Sequence, residues 1–301
     1  MDITNLRIAL VGYGEVGSIF GAALAVAGVA RVAAFDILVR DAAWAARARA
    51  RHHGVHIASS SDEATSDADL VICAVTAAQT RTAAEQIARD VRKGAFVLDV
   101  NSASPRTKTA CAQIVDAAGG RYVESAVMSS VPPHGIRVPM LLGGAHAETL
   151  QPTLAALGFD AAVGSQKLGV VSAVKLCRSV VIKGMEALFI ESMLAARHYG
   201  VEDDVLASLA ETFPNLDWER QATWFWRRVV QHGKRRAEEM REAAVTVTDA
   251  GVEPRMASAT ADVQAWIAAL RTAGVFDEDT KDASFRDLSD RVRRAKRPGD
   301  A

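Results

Sequence analysis

The stretch Leu6-Arg7-Ile8-Ala9-Leu10-Val11-Gly12-Tyr13-Gly14-Glu15-Val16-Gly17 decides how this chain is read. A compact apolar run leads straight into a G-x-G-x-x-G, and the small apolar residues from Ile19 to Ala27 suit a helix. In a strand, loop and helix of this kind each glycine has its own task. Gly12 permits the tight turn, Gly14 lets a pyrophosphate approach the backbone, and Gly17 lets helix and strand pack closely. The first N–H groups of the helix then face the phosphates at the positive end of its dipole. A second apolar run, Arg31 to Phe35, ends on Asp36, which lies 19 residues beyond Gly17 at the point where an acid can bond both ribose hydroxyls. Gly12, Tyr13, Gly14, Glu15, Val16, Gly17 and Asp36 are therefore the candidate dinucleotide site. Because the Asp36 carboxylate repels a 2′-phosphate, NAD(H) is the expected cofactor; Arg40, shortly after it, keeps NADP(H) possible.

Outward from this core, compact apolar runs at Leu70 to Val75 and Ala95 to Leu98 alternate with Ala-rich segments at Asp41 to His52 and Ala78 to Arg92. Such alternation predicts a doubly wound, mostly parallel sheet. Further runs at Tyr122 to Val127, Pro139 to Leu142 and Phe159 to Val163, with a helix near Ala147 to Leu157, extend its far edge. Strand signals then stop. The expected fold is α/β, with a Rossmann domain over residues 1–165 and an all-α domain over 166–301. In the second half, helices are predicted over Val170 to His198, Glu202 to Glu211, Trp218 to Ala250 with a break at Gly233, and Pro254 to Thr272. Trp218, Trp224 and Trp226, with Phe225, read as core or subunit interface. The charged tail is expected to end in disorder.

With 301 residues, 50% of them apolar, the chain is too hydrophobic for disorder and has material for a large core. Lys plus Arg (35) nearly equal Asp plus Glu (36), which leaves no electrostatic case for a nucleic-acid or membrane-surface protein and makes a small molecule the expected partner. The longest uncharged stretch, Val16 to Ala30, has 15 residues against the roughly 20 that a bilayer needs. The opening MDITNLRIALVG shows no secretory pattern, so the cytoplasm is the expected compartment. Cys73, Cys111 and Cys177 sit in apolar periodic segments and read as reduced, buried thiols, and neither they nor His134 and His232 have metal-ligand spacing.

Ligands of open α/β sheets bind beyond the carboxyl ends of the strands, so two further ends matter. Val75 and Thr76 close one, and Asp99-Val100-Asn101-Ser102-Ala103-Ser104-Pro105 closes the next. Val75, Thr76 and Asn101 are accordingly candidates for the cofactor's ribose and nicotinamide.

Nearly the whole chain resembles the β-hydroxyacid dehydrogenase family, which includes 3-hydroxyisobutyrate and 6-phosphogluconate dehydrogenases. Asp99 to Pro105 is similar to the family's D-x-S-T-x-x-P, with Asn101 and Ser102 where Ser-Thr is usual. Glu124-Ser125-Ala126-Val127-Met128-Ser129-Ser130 stands at the substrate loop D-A-P-V-S-G-G, and Gly169-Val170-Val171-Ser172-Ala173-Val174-Lys175 resembles the segment leading to the catalytic lysine. The resemblance implies Lys175 as catalytic residue and Asn101, Met128, Ser129, Ser130, Arg178 and Ser179 as substrate contacts. Ser179 stands where the family has Asn, and Met128 where it has a carboxylate-binding Ser. The runs M-S-S-V-P-P-H-G, K-L-C-R-S-V-V-I-K-G and H-G-K-R-R-A-E-E-M (His232 to Met240) are closer to a branch with its own C-terminal helical domain.

On a helix, Lys175, Ser179, Ile182 and Glu186 share one face. Dehydrogenation of an alcohol needs a base for the hydroxyl proton while hydride leaves carbon, and a lysine serves if its pKa falls from about 10.4 toward 7 to 8. The implied function is an NAD(P)-dependent oxidoreductase acting on a small β-hydroxy acid or the corresponding aldehyde or keto acid. Imine reduction, or cofactor binding without turnover as a redox sensor, are the alternatives. The long helix and the apolar helical half suggest a homodimer.

Overall fold

The structure is a computed structural model that describes residues 3–51, 54–276 and 280–295. Its elements follow in the order β1 (Arg7–Val11), α1 (Glu15–Val26), β2 (Arg31–Phe35), α2 (Ala42–Arg51), β3 (Val55–Ile57), α3 (Ser61–Thr65), β4 (Leu70–Cys73), α4 (Thr80–Asp90), β5 (Phe96–Asp99) and α5 (Pro105–Ala117). Then come β6 (Arg121–Val127), α6 (Val131–His134), β7 (Met140–Gly143), α7 (Ala147–Ala156) and β8 (Ala161–Ser165). The chain finishes with α8 (Val170–Tyr199), α9 (Glu202–Thr212), α10 (Trp218–Asp249), α11 (Arg255–Thr272) and α12 (Phe285–Arg294). It divides into two compact units, Met1–Leu176 and Cys177–Ala301, and the division falls inside α8.

The first unit is built on one sheet of order β3-β2-β1-β4-β5-β6-β7-β8. Strands β1 to β6 are parallel to one another; β7 pairs antiparallel with β6, and β8 runs parallel to β7. The central strands are apolar on both sides because helices cover both faces. One face buries Ile8, Leu10, Ile72 and Leu98 with Phe20 and Leu24 of α1. The other buries Val71 and Val97 with Ile87 of α4 and Val115 of α5. Each large aliphatic side chain so enclosed contributes about 1.5–3 kcal/mol. The expected doubly wound fold is present. Among the elements that the apolar runs do not announce are β3, a three-residue edge strand with exposed His56 between buried Val55 and Ile57, the short helices α3 and α6, and α5, whose start is set by the Ser104 side chain accepting from Thr107 N–H with Pro105 in the first turn.

The second unit is helical throughout. Trp226 and Phe225 are buried, and Trp218 stacks on Phe189 with ring centroids 5.0 Å apart, so most of the aromatic cluster is core; Trp224 is 44% exposed. Helix α10 does not break at Gly233. A Cβ there would lie 2.7 Å from the backbone oxygen of Gln264 on α11, so the glycine serves a close approach of two helices and leaves the hydrogen-bonded spiral intact. Cys73 and Cys111 are buried as expected, whereas Cys177 is exposed on α8, because its turn of the helix faces outward. Part of the charged tail is ordered as α12, which opens on a capping box between Ser284 and Asp287. The last residues of the tail, 296–301, for which disorder is expected, and His52 of the predicted second helix lie outside the described residues. No helix among the described residues is long and apolar enough to cross a membrane.

Candidate active site

The strand order reverses between β1 and β4, and there the carboxyl ends of β1, β4 and β5 open a crevice. Gly12 leaves β1 with φ +93°, and its N–H donates to Phe35 O at 2.8 Å. A Cβ on Gly12 would collide with the backbone of Ala74, and one on Gly17 with the carbonyl of Gly12. Gly14 differs, because nothing lies within 4 Å of where its Cβ would be. The open backbone edge at Gly14 and the α1 N-terminus behind it fit a pyrophosphate. Tyr13 is buried beneath the loop, while Glu15 is exposed and Val16 half-buried on the first turn of α1. Asp36 Oδ2 accepts from Tyr13 N–H at 2.7 Å and Oδ1 from Leu38 N–H at 3.0 Å. The carboxylate thus fastens the glycine loop to the end of β2, and each oxygen retains a lone pair for a hydroxyl donor.

Beneath the next two strand ends lies a polar network in an otherwise apolar layer. Val75 N–H donates to Asn101 Oδ1 at 2.8 Å, and Asn101 Nδ2 approaches Cys73 Sγ at 3.3 Å. Asn101 N–H donates to Asp99 Oδ1 at 2.9 Å. The same carboxylate takes Tyr122 OH at 2.6 Å and pairs with Lys108 Nζ at 2.8 Å, while Lys108 also donates to Asp99 O at 3.0 Å. Lys108 is fully buried. Burial, with Asp99 second, pushes the Cys73 thiol up to about 12 and the Tyr122 phenol well above its ordinary value, so both stay protonated. The Asn101 amide is therefore pinned on both sides, and it braces Val75 beside exposed Thr76.

Strand β6 brings in the remaining loop. Met128 N–H donates to Pro139 O at 2.9 Å; Ser129 Oγ lies 3.3 Å from His134 Nε2, and both Ser129 and Ser130 are exposed. Glu124, in register with Asp99, is fully buried. Its carboxylate accepts the N–H of Gly169 at 2.5 Å and the hydroxyl of Ser172, two groups of the α8 entry turn. A Cβ on Gly143 would sit 2.5 Å from Glu124 Oε1, so β7 makes room for the acid. Gly169 packs on Pro105 at the end of the Asn101 loop. Lys175 follows one turn after Ser172 and is half-buried; Arg178, exposed, and Ser179, buried, lie further along α8 in the second unit. Roles for Glu124, Lys108 and Tyr122 escape a periodicity reading, although ionisable residues set within apolar runs are the available signal.

Residues 7–162, just over half of the chain, match the NAD binding domain of 6-phosphogluconate dehydrogenase, and residues 196–267 match a domain of unknown function, DUF1932. The chain belongs to the first of these families, and by class it is an NAD(P)-dependent oxidoreductase. A conserved hypothetical protein of Sinorhizobium meliloti 1021 is similar, with 35% identity over 96% of this chain and 98% of that chain and a TM-score of 0.72. A conserved protein described as structurally similar to 3-hydroxyacid dehydrogenases shares 29% identity over 89% of this chain and 99% of that chain, with a TM-score of 0.66. The 3-hydroxyisobutyrate dehydrogenase of Mycobacterium tuberculosis, solved with L-serine, shares the fold at 19% identity over 96% of this chain and 99% of that chain, with a TM-score of 0.69.

Removing the buried ammonium should expose how much the crevice floor depends on it. Lys108→Met leaves Asp99 as a buried carboxylate without its cation and is expected to cost about 3–5 kcal/mol in urea unfolding. A change within error of zero would mean that the pair is not buried as described.

Proposed function

We propose that the chain oxidises a small β-hydroxy acid, or reduces the corresponding aldehyde or keto acid, with Lys175 as proton shuttle. In this reading residues 1–165 bind the dinucleotide through Gly12 to Gly17, Asp36, Val75, Thr76 and Asn101, and residues 166–301 form the helical substrate and dimerisation domain. The observation that carries it is the Glu124 clamp. The entry turn of α8, which leads to Lys175, is held by a carboxylate on β6 and packs on Pro105, next to the loop at the carboxyl end of β5. When bound, the nicotinamide supplies or accepts the hydride. Lys175 takes the hydroxyl proton in oxidation and returns it in reduction. Ser129 and Ser130 offer hydroxyl donors to a substrate carboxylate, Met128 adds apolar bulk, and Asn101, Arg178 and Ser179 complete the substrate contacts. Asp36 supports NAD(H) over NADP(H), and Cys73, Cys111 and Cys177, none of them in a disulfide, fit a reducing cytoplasm.

The exposed apolar side chains Val174, Val181, Met185 and Leu188 share one side of α8, away from Lys175 and Ser179. This stripe supports a homodimer in which α8 is covered by a second copy.

Three outcomes are expected. Lys175→Ala lowers turnover about 100-fold or more across a panel of hydroxy acids and aldehydes, followed by NADH absorbance, while the NADH dissociation constant stays within about twofold; retained turnover refutes the proton shuttle. In competition, NADH is used in preference to NADPH, and the reverse would overturn the role given to Asp36. Light scattering gives a mass of about 64 kDa, twice the 32.0 kDa chain, and Val181→Glu with Leu188→Glu halves it; a monomer in the unaltered protein removes the dimer.

A further inference from the structure

The polar network under the crevice ends in a side chain that takes the place of a strand. Strand β4 stops at Cys73, and its ladder with β5 closes where Val100 N–H donates to Cys73 O at 3.1 Å. Ala74 N–H still meets Val11 O on β1 at 2.8 Å, and Thr76 O opens the next turn by accepting from Gln79 N–H at 3.0 Å. Val75 lies between them, beyond the ladder. Its N–H goes to Asn101 Oδ1 at 2.8 Å, so the place of this backbone depends on how one amide is turned.

Asn101 is in turn held from several sides. Its N–H donates to Asp99 Oδ1 at 2.9 Å, a bond from residue i+2 to a side chain that bends the chain as it leaves β5. Its Nδ2 lies 3.3 Å from Cys73 Sγ, which fixes which end of the amide faces Val75. The bend is only as firm as the Asp99 carboxylate, and two other elements set that group. Lys108 of α5 places Nζ 2.8 Å from Asp99 Oδ1 and 3.0 Å from Asp99 O, and Tyr122 of β6 gives its hydroxyl to Oδ2 at 2.6 Å. Lys108 and Tyr122 are enclosed, at 0% and 2% exposure, so neither reaches a ligand. Tyr122 stays a donor, because burial first and then Asp99 hold its phenol well above the ordinary value. Apolar side chains of similar volume commonly stabilise a core as well as a buried ion pair does. What the charges add here is direction.

We propose that Lys108 and Tyr122 are positioning residues for the nicotinamide half of the cofactor, acting through Asp99 and Asn101 on the backbone of Val75 and Thr76. The assignment rests on the reading of Val75 and Thr76 as dinucleotide contacts. The adenosine half has a separate support. Asp36 bonds Tyr13 N–H and Leu38 N–H and involves no member of the network. Ala74, next to the glycine loop, keeps its own ladder bond to β1. A fault in the network therefore reaches Val75 and leaves the phosphate and adenosine end in place, and the loss is one of preorganisation.

The test needs no substrate. Binding of NADH, and of ADP as the adenosine and phosphate part alone, is measured on the full chain by titration calorimetry, with the anisotropy of bound NADH emission as a second readout. Tyr122→Phe removes one hydroxyl and keeps the ring. It is expected to raise the NADH dissociation constant about tenfold, the effect of one hydrogen bond to a charged group, and to lower the anisotropy, while the ADP constant stays within about twofold. Cys73→Ala, at a second enclosed side chain that touches Asn101, should show the same split at about threefold, and it decides alone if Tyr122→Phe does not fold. Equal weakening of NADH and ADP makes the network a support of the whole unit and overturns the assignment. So does NADH binding unchanged in both variants. An unaltered chain that binds neither ligand overturns the dinucleotide reading itself, and the assignment with it.

Discussion

The first unit depends on one buried carboxylate. Glu124 sits on a central strand with its side chain fully enclosed, where an uncompensated charge costs several kcal/mol. It is tolerated because the entry turn of α8 supplies a backbone N–H and a hydroxyl, and because the positive end of a helix dipole faces it. The dependence runs in both directions. The helix start needs an acceptor for its orphan donors, and the acid needs those donors, so the position of the first turn of α8, within the first unit, is set to within a hydrogen-bond length. Gly143 belongs to the same device, since β7 leaves the space that the carboxylate fills.

A second constraint lies under the crevice. Asp99, Lys108, Tyr122, Asn101 and Cys73 form a connected set in which each polar group has a partner, and that condition makes a buried network rigid instead of destabilising. Its product at the surface is a fixed backbone at Val75 and Asn101. The glycine loop is fixed separately, by Asp36 gripping Tyr13 N–H. Segments at the carboxyl ends of three strands are thus held by side chains beneath or beside them, while the space at Gly14 stays open.

The helical unit keeps its charges differently. There the ion pairs join α8 to α10, with Glu186 and Glu239 each shared between cations from more than one position, and a Gln264 hydrogen bond ties in α11. Burying such pairs is weak support for stability on its own. The aromatic layer of Phe189, Trp218, Phe225 and Trp226 supplies the apolar burial, and the charged layer sets which helical faces meet.

Local signals sufficed for the doubly wound sheet, the glycine loop and the long helices, because each rests on periodicity or on a turn that only certain residues allow, and these are properties of adjacent residues. Gly233 shows the limit: as a sequence symbol it reads as a helix break, yet the approach of α11 makes it a contact. Cys177 shows the same limit, since an apolar neighbourhood along the chain does not say which way one helical turn faces. Glu124, Lys108 and Tyr122 acquire their roles only from partners up to 48 residues away in the chain. The amino-acid order by itself determined the fold class and the glycine turn between the first strand and the first helix. Tertiary structure alone decided which buried charges meet, because a hydrogen bond depends on distance in space and the chain records only distance along itself.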